Sequence, residues 1–244
     1  MLAALATCIL LLITNIQAQD TTFKHFGITG EVASRFVWRG QQPAGSGPVI
    51  HPNLYWANDH LEFGALGIVM LANQYQEIDL YAKASAGAYS ITVTDYHIPY
   101  LADGTALSYN PGFFNYQNQT TSHIVEVAGA ISSIAKTGFN VMAAVHIYGN
   151  DKCYGHDAGL DTTGTNYYST YLKAGYTIKR KMGTMEFFAA GTPKASFYGD
   201  RASFVNVGAE MICQYQYGFL KGERVSVIAN PNANRAYIVF SFIF

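Results

Sequence analysis

Residues 236–244 read Ala-Tyr-Ile-Val-Phe-Ser-Phe-Ile-Phe, and this alternation constrains the fold more than any other stretch of the chain. The even positions are all apolar, whereas the odd positions include Tyr237 and Ser241. A period of two predicts a β-strand with one wholly apolar face. A strand that closes a membrane barrel turns such a face to lipid and leaves no free edge. The alternative is the buried last strand of a soluble β-sandwich.

The composition favours an all-β chain. Charged residues make up 13% of the 244 residues, against roughly 25% in typical soluble domains. Aromatic residues reach 14%, and there are 23 glycines. Beyond the amino terminus there is no run of about 18 apolar residues, which argues against membrane-spanning helices. The formal net charge of −1 offers no basic surface, so we do not expect nucleic acid as a partner.

Residues 1–18 resemble a secretory signal peptide, with an apolar body over 2–13 and the small residue Ala18 before the expected cut. We therefore expect export, with 19–244 as a single domain. Cys153 and Cys213 remain in this domain. The strand order puts them at opposite ends of a barrel, roughly 25 Å apart, whereas a disulfide needs α-carbons within about 7 Å. Both cysteines are predicted to be free.

Alternating segments recur along the chain. The first runs from Phe26 to Arg39, with Trp38 near its end in the place of an interfacial aromatic belt. About twelve such segments can be traced, and longer connections alternate with short turns. That alternation is typical of outer-membrane proteins and is not expected of a sandwich. The sequence thus predicts one antiparallel transmembrane β-barrel of about 12 strands.

Several stretches resemble the TorF-type putative porins, which are exported barrel proteins of Gram-negative bacteria. The resemblance lies in Ser34-Arg35-Phe36-Val37-Trp38-Arg39-Gly40, Glu77-Ile78-Asp79-Leu80-Tyr81, Thr94-Asp95-Tyr96, Tyr148-Gly149-Asn150-Asp151-Lys152 and Tyr168-Ser169-Thr170-Tyr171. It implies an outer-membrane barrel with porin-like activity and supplies no catalytic motif. The terminal Phe244 also resembles the carboxy-terminal signal that the barrel-assembly machinery reads. The expected partners are outer-membrane lipid, that machinery and small polar solutes.

Charged residues on the polar faces are the candidate pore-lining groups. Asp95, Glu126 and His146 are further candidates for the inner wall. The charges are expected either to line a permeation path or to pair with one another and fill a narrow barrel. The predicted function is a small porin-like channel, and the alternative is a non-conducting structural or adhesive barrel that acts through its outer loops. The pore-lining candidates are Glu31, Arg35, Arg39, Glu77, Asp79, Lys83, Lys173, Glu186, Glu210, Arg224 and Arg235.

The sequence offers little support for an enzyme. Asp95 and His97 share one strand face and His123 opens the next strand, which leaves a barrel hydrolase as a third hypothesis. The other histidines show no metal-binding spacing, so no metal or cofactor is expected. The loop between these two strands is rich in aromatic residues that either fold inward as a constriction or outward as a binding surface. These are Tyr109, Phe113, Phe114 and Tyr116.

Overall fold

The computed structural model describes residues 25–99, 112–118, 120–151 and 166–244. Twelve antiparallel strands in these ranges close into a barrel in sequence order, with β1 paired to β12. The predicted fold class and strand number are confirmed. The strands are β1 Phe26–Ala33, β2 Val49–Ala57, β3 Leu61–Met70, β4 Gln76–Ala86, β5 Tyr89–His97, β6 His123–Ile131, β7 Phe139–Gly149, β8 Thr170–Arg180, β9 Gly183–Thr192, β10 Ser203–Tyr217, β11 Leu220–Asn230 and β12 Arg235–Ile243.

The two ends of the barrel differ in their connections. At one end, here called the turn end, tight turns such as 87–88 and 181–182 join consecutive strands, and the connection 132–138 contains a 3₁₀ turn at Ile134–Lys136. At the other end, the loop end, the β1–β2 and β9–β10 connections span 34–48 and 193–202. Within the described part of the chain, no helix is long and apolar enough to cross a membrane.

Side chains alternate between the two faces of the wall. On β12, Ile238, Phe240 and Phe242 point outward with exposed fractions of 54%, 57% and 50%, whereas Tyr237 and Ser241 are buried inside. The predicted alternation of the last strand is therefore correct. Exposed apolar side chains continue around the outer wall on the other strands, including Phe26, Ile28, Leu54, Phe63, Ile78, Leu80, Ile91, Val93, Phe139, Leu172, Phe187, Met211 and Val227.

The first strand is shorter than predicted. It ends at Ala33, eight residues after it begins, and the chain then turns into the barrel instead of continuing to Arg39. Phe36 is buried inside rather than facing outward, because it packs against Tyr75, the residue directly before β4. Trp38 likewise lies in the lumen and not in an interfacial belt, with its ring against Tyr96 at 5.5 Å.

The interior holds two apolar clusters near the loop end. One contains Phe36 and Ala44 with inward residues of β2, β3 and β12, including Val49, Ile68 and Val239. The other joins β7, β8 and β9 to the β9–β10 connection, and includes Ala144, Tyr171, Ala190 and Tyr198. Trp38 packs against both clusters. The β1–β2 and β9–β10 connections thus fill the loop-end half of the lumen.

Some sequence predictions fall on other parts of the chain. Residues 1–18, Tyr109 and Cys153 lie outside the described residues. Cys213 is half-buried on β10 and forms no disulfide within the described part of the chain. Its predicted separation from Cys153 stays a prediction.

Candidate functional site

The candidate site is the barrel lumen, and its loop end is closed by residues 34–48, here called the plug. The plug contains a two-residue turn in which Trp38 and Gln41 exchange backbone hydrogen bonds of 2.8 and 2.9 Å. Arg39 and Gly40 occupy the turn with φ values of 50° and 77°. Positive φ at both central positions is the geometry of a tight hairpin turn, and Gly40 suits it because it has no side chain. A Cβ on Gly40 would lie 1.9 Å from the Val205 carbonyl oxygen.

Hydrogen bonds fix the plug to the wall on several sides. The side-chain amide of Asn230 donates to the Gly40 carbonyl at 3.0 Å. That of Asn73 donates to the Ala44 carbonyl at 2.9 Å. Buried backbone carbonyls are costly to leave unpaired, so these two asparagines stabilise the inward position of the plug.

Arg39 is the charged anchor of the plug. Its Nη2 donates to Glu126 Oε1 on β6 at 2.7 Å, and Nη1 contacts the other oxygen of Glu126 and the Tyr198 hydroxyl. The guanidinium lies 4.6 Å from the ring centroids of both Trp38 and Tyr171. Arginine suits this site because its planar group pairs with a carboxylate and stacks on aromatic rings together. Burial raises the pKa of the Tyr198 hydroxyl although Arg39 opposes the shift, so the phenol remains neutral.

The ion pair continues into a buried polar network. His146 on β7 places Nε2 3.5 Å from Glu126 Oε2 and Nδ1 3.2 Å from Asp151 Oδ1. Asp151 accepts hydrogen bonds from the Ser169 backbone N–H at 2.9 Å and from its hydroxyl. The Ser169 hydroxyl oxygen accepts from the Phe197 N–H at 2.8 Å. The network therefore links the plug, β6, β7 and the connections on either side of β8 and β9.

A second set of charges lies on the inner wall of strands β1, β11, β10, β9 and β8 and is here called the charged arc. Arg224 Nη1 lies 2.9 Å from Glu31 Oε2, and its Nε lies 3.7 Å from Glu210 Oε2. Lys173 Nζ lies 2.9 Å from Glu186 Oε2. These side chains are 17–32% exposed, so the lumen here reaches solvent. The arc consists of Glu31, Arg224, Glu210, Glu186 and Lys173.

The structure places the predicted pore-lining residues in several environments. Five of them form the charged arc, and Arg39 belongs to the plug. Glu77 and Asp79 are buried on the inner face of β4. Lys83 lies on the same face of this strand and is half-buried. Arg35 lies in the plug with its Nε buried and unpaired among the described residues. Arg235 is exposed at the loop end of β12. Pore lining itself stays a prediction for all eleven.

Asp95 is on the other side of the wall from its predicted position. Its neighbour Tyr96 points inward and donates to Glu126 at 3.1 Å, so the alternation of β5 turns Asp95 outward. Glu126 and His146 do lie on the inner wall. The prediction for Asp95 fails because the outer face is covered locally by residues 112–118. The Tyr116 hydroxyl donates to Asp95 Oδ2 at 2.7 Å, and the Tyr116 ring stacks on His123 at 4.2 Å.

The same outer patch contains the residues of the hydrolase hypothesis. His123 Nδ1 lies 2.8 Å from Asp95 Oδ1, and His97 lies against His123 with ring centroids 4.7 Å apart. His123 Nε2, which a hydrolase would direct at its nucleophile, lies 2.7 Å from the Phe113 carbonyl oxygen. Burial, with hydrogen bonding to Asp95, raises the pKa of Tyr116 to about 12. Because both residues contact His123 on the outer face, Phe113 and Tyr116 fold over the outer wall rather than into a constriction.

The sequence analysis did not identify the site residues that lie in the connections between strands. Trp38, Asp151 and Tyr198 are all in connections whose inward fold leaves no periodic signal. A usable clue was the pair Arg39-Gly40, whose glycine favours a tight turn where the alternation suggested a strand. No model of a known protein family and no curated protein sequence matches this chain. The resemblance to TorF-type putative porins therefore stays a prediction.

Proposed function

We propose that the chain is an outer-membrane β-barrel of a Gram-negative bacterium that forms a small, plugged channel for polar solutes. One observation carries the proposal: the wall is apolar outside and polar inside. The outward residues Ile28 and Phe240 are 71% and 57% exposed, whereas the inward positions carry the charged arc. A soluble protein has the opposite arrangement, with apolar side chains inside and polar ones outside. Apolar side chains on the outer face and polar ones in the lumen are typical of a β-barrel in lipid.

The outer belt supports a lipid environment. Exposed apolar side chains occur around the barrel rather than in one patch, as Leu54, Ile91, Leu172 and Val227 on four separate strands illustrate. Soluble monomers rarely expose contiguous apolar patches beyond a few hundred Å². In a bilayer the same surface contacts acyl chains, and the closed sheet satisfies the backbone hydrogen bonds.

The lumen supports a narrow channel. Barrels of eight strands are filled by side chains, and those of sixteen or more hold a wide aqueous channel. Twelve strands enclose an intermediate space, and here the charged arc borders a solvent-reaching half while the plug fills the other. Because the arc mixes acids and bases, we expect a small conductance with weak ion selectivity.

The partners follow from this assignment. The outer belt would contact outer-membrane lipid, and the barrel would reach the membrane through the barrel-assembly machinery acting on the strand that ends at Phe244. The resemblance to TorF-type putative porins implies the same activity. We infer no cofactor for a channel of this kind.

A second function has an observation of its own. The loop-end half of the lumen is filled by two apolar clusters and a buried ion pair. A lumen that is filled in this way is expected of a barrel that does not conduct. Such a barrel would act as a structural or adhesive protein through its outer loops. Residues 112–118, folded onto the outer wall, present Phe114 with 89% of its surface exposed.

Planar-bilayer recording on refolded protein distinguishes the two functions. The wild type should show small, infrequent openings, because the plug closes the loop end. Arg39→Ala should raise the open fraction, since it removes the charged anchor of the plug. Arg235→Ala is the matched control: it removes an inner-face arginine of the same end that does not hold the plug, and it should leave the open fraction unchanged.

The outcomes are separable. Openings that increase in Arg39→Ala and not in Arg235→Ala support a plugged channel. Silence in all three proteins, each shown to be folded by its heat-modifiable mobility, would reject the channel and favour the structural or adhesive barrel. Equal conductance in all three would mean that the plug does not limit permeation.

A further inference from the structure

Two carboxyl groups lie close together on the inner face of β4, beneath the plug. Glu77 and Asp79 are two residues apart on this strand and are 6% and 4% exposed. Their register partners on β3 are the apolar residues Ile68 and Leu66. Asp79 Oδ1 has no hydrogen-bond partner among the described residues. This carboxyl pair is therefore buried in surroundings that do not solvate a negative charge.

The plug covers the carboxyl pair. The Tyr75 hydroxyl donates to Glu77 Oε2 at 2.6 Å, and the centroid of the Tyr75 ring lies 6.4 Å from that of Phe36 in the plug. Glu77 also lines a small cavity together with Phe36 and Trp38. The free volume of this cavity is about 20 Å³, room for about one water molecule. While the plug is in place, bulk water therefore does not reach Glu77.

The contact between the two carboxyl groups requires a proton. Glu77 and Asp79 lie within hydrogen-bonding reach of each other. Two ionised carboxylates have no hydrogen to share, and like charges at this distance repel each other. A buried carboxylate with neither water nor a base beside it is also costly. The pair therefore retains at least one proton while the plug covers it.

The polar groups that face the pair from the plug and the neighbouring strands are directed elsewhere. Arg39 of the plug donates to Glu126 at 2.7 Å, and His146 Nε2 lies 3.5 Å from the same carboxylate. Tyr96, the register partner of Asp79 on β5, also donates to Glu126, at 3.1 Å. These groups neutralise Glu126 and leave the carboxyl pair without a base.

The other acids and bases of the plug, β3, β4 and β5 do not compensate the pair either. Within the described ranges, no ion pair joins Glu77 or Asp79 to a lysine, arginine or histidine, Arg35 and Lys83 included. Glu62 accepts a hydrogen bond from Tyr81. Asp95 and His97 belong to the outer face of β5, against residues 112–118.

We propose that the carboxyl pair is a proton latch, which holds the plug in the lumen while it is protonated and releases the plug when the proton is lost to solvent. With the plug displaced, water reaches both carboxyl groups, and they ionise above their ordinary range of about pH 4. With the plug in place, the pair keeps a proton to higher pH. Opening therefore releases a proton, so the closed position is favoured at low pH and loses this stabilisation as the pH rises.

The latch deepens the proposed channel by naming what regulates it, and it rests on that function only for the inference that solute flow follows the plug. Movement of the plug is measured on the folded barrel in detergent, without a membrane or a conductance. A plug that opens with pH in a protein that never conducts would retain the latch and reject the channel. A conducting protein whose plug and openings both ignore pH would reject the latch alone.

Fluorescence of Trp38 reports the position of the plug. The chain has two tryptophans, so Trp56→Phe leaves Trp38 as the sole reporter. Acrylamide is an uncharged quencher and should reach Trp38 only when the plug leaves the lumen. Between about pH 5 and pH 9, above the ordinary carboxyl range and below that of tyrosine, quenching should increase with pH. Each proton released makes opening up to about tenfold more favourable per pH unit.

Matched variants in this background assign the pH dependence to the pair. The double variant Glu77→Gln/Asp79→Asn keeps the size of both side chains and cannot ionise, so its quenching should be independent of pH. His146 is present in every protein, so its own titration does not produce a difference between them. Glu62→Gln is the control, because Glu62 is also an inner-wall acid but lies outside the latch, and it should retain the pH dependence of the wild type.

The single variants keep the test decisive if the double variant does not fold. Glu77→Gln and Asp79→Asn should each make the rise of quenching with pH shallower, because one acid is left without its charged neighbour. All proteins are compared only as heat-modifiable, folded barrel. Quenching that is independent of pH in the Trp56→Phe protein, or that rises equally in the carboxyl variants and in Glu62→Gln, would overturn the proposal.

Discussion

Gly30 and Phe244 exchange two backbone hydrogen bonds across the seam where β1 meets β12, with N–O distances of 2.7 and 2.9 Å. The ring of Phe244 lies directly over Gly30, and a Cβ on Gly30 would be 2.4 Å from Phe244 Cε2. The register of this seam is short, running from Glu31↔Ile243 to Ala33↔Ser241. The Gly30–Phe244 contact therefore lengthens the one pairing that closes the barrel.

Gly30→Val should weaken the closing seam. The added side chain would displace the Phe244 ring, and overpacking of this kind typically costs about 1–3 kcal/mol. The measurement is the free energy of unfolding of the refolded barrel in denaturant. Gly129→Val is the matched control, because Gly129 is also a glycine within a strand, but it is exposed and its Cβ would have no neighbour within 4 Å. A loss of similar size in both variants would mean that the ring over Gly30 contributes nothing specific.

Phe244→Ala should destabilise the same refolded barrel by about 1 kcal/mol, since it removes a cross-strand aromatic contact. This experiment contains no assembly machinery, so it isolates packing from recognition. The amount of folded barrel in cells is then measured for the same variant. Unchanged stability in vitro together with a lower amount in cells would assign the role of Phe244 to recognition rather than to the seam.

An arginine should destabilise the barrel much more at position 80 than at the neighbouring position 81. Leu80 is 40% exposed on the outer face, and arginine near the middle of a bilayer costs about 2–4 kcal/mol. Tyr81 faces the lumen and donates to Glu62 Oε1 at 2.8 Å, so an arginine there gains a carboxylate partner. Leu80→Arg should therefore lower the free energy of unfolding in lipid much more than Tyr81→Arg does. Equal losses would contradict the assignment of the two faces.

The sequence predicted the wall better than its contents. Period-two alternation is a local property of a strand, which is why the strand number and the outward face of β12 could be read from residues alone. The inward turn at Ser34 depends on distant residues: Phe36 is buried against Tyr75, and Arg39 pairs with Glu126 on β6. No local pattern reports such partners, so the alternation through Trp38 wrongly suggested a longer strand.

Asp95 illustrates the same limit on the outer wall. A charged residue on a strand was expected to face the lumen, because lipid does not solvate it. The structure instead surrounds Asp95 with His123 and with Tyr116 of the segment 112–118. These tertiary contacts supply the hydrogen bonds that an outward-facing carboxylate would otherwise make to water. The alternation of residues along a strand does not reveal such contacts. The alternation of each strand predicted that the residues of the charged arc face inward. It could not predict which of these residues form ion pairs with one another.

Arg39 and Glu126 should show strong coupling in a double-mutant cycle. Removing one partner of a buried ion pair costs about 3–5 kcal/mol because the other charge is left unpaired, whereas removing both costs less than the sum. Hydrogen exchange of residues 34–48 reports opening of the plug. A loss of about 3 kcal/mol corresponds to roughly 100-fold faster exchange in Arg39→Met or Glu126→Gln. Additive effects in the double variant, or equal acceleration in Arg235→Met, would show that this pair does not hold the plug.

Arg224 should govern the ion selectivity of the open channel. It lies between Glu31 and Glu210 in the charged arc, so Arg224→Ala leaves both carboxylates without their base. Uncompensated carboxylates along a permeation path favour cations. Reversal potentials across a salt gradient, measured in an Arg39→Ala background that releases the plug, should shift towards cation selectivity. Glu223→Ala is the control, because Glu223 is the exposed neighbour of Arg224 on the opposite face of β11. An unchanged reversal potential in Arg224→Ala, with conductance retained, would place the charged arc off the permeation path.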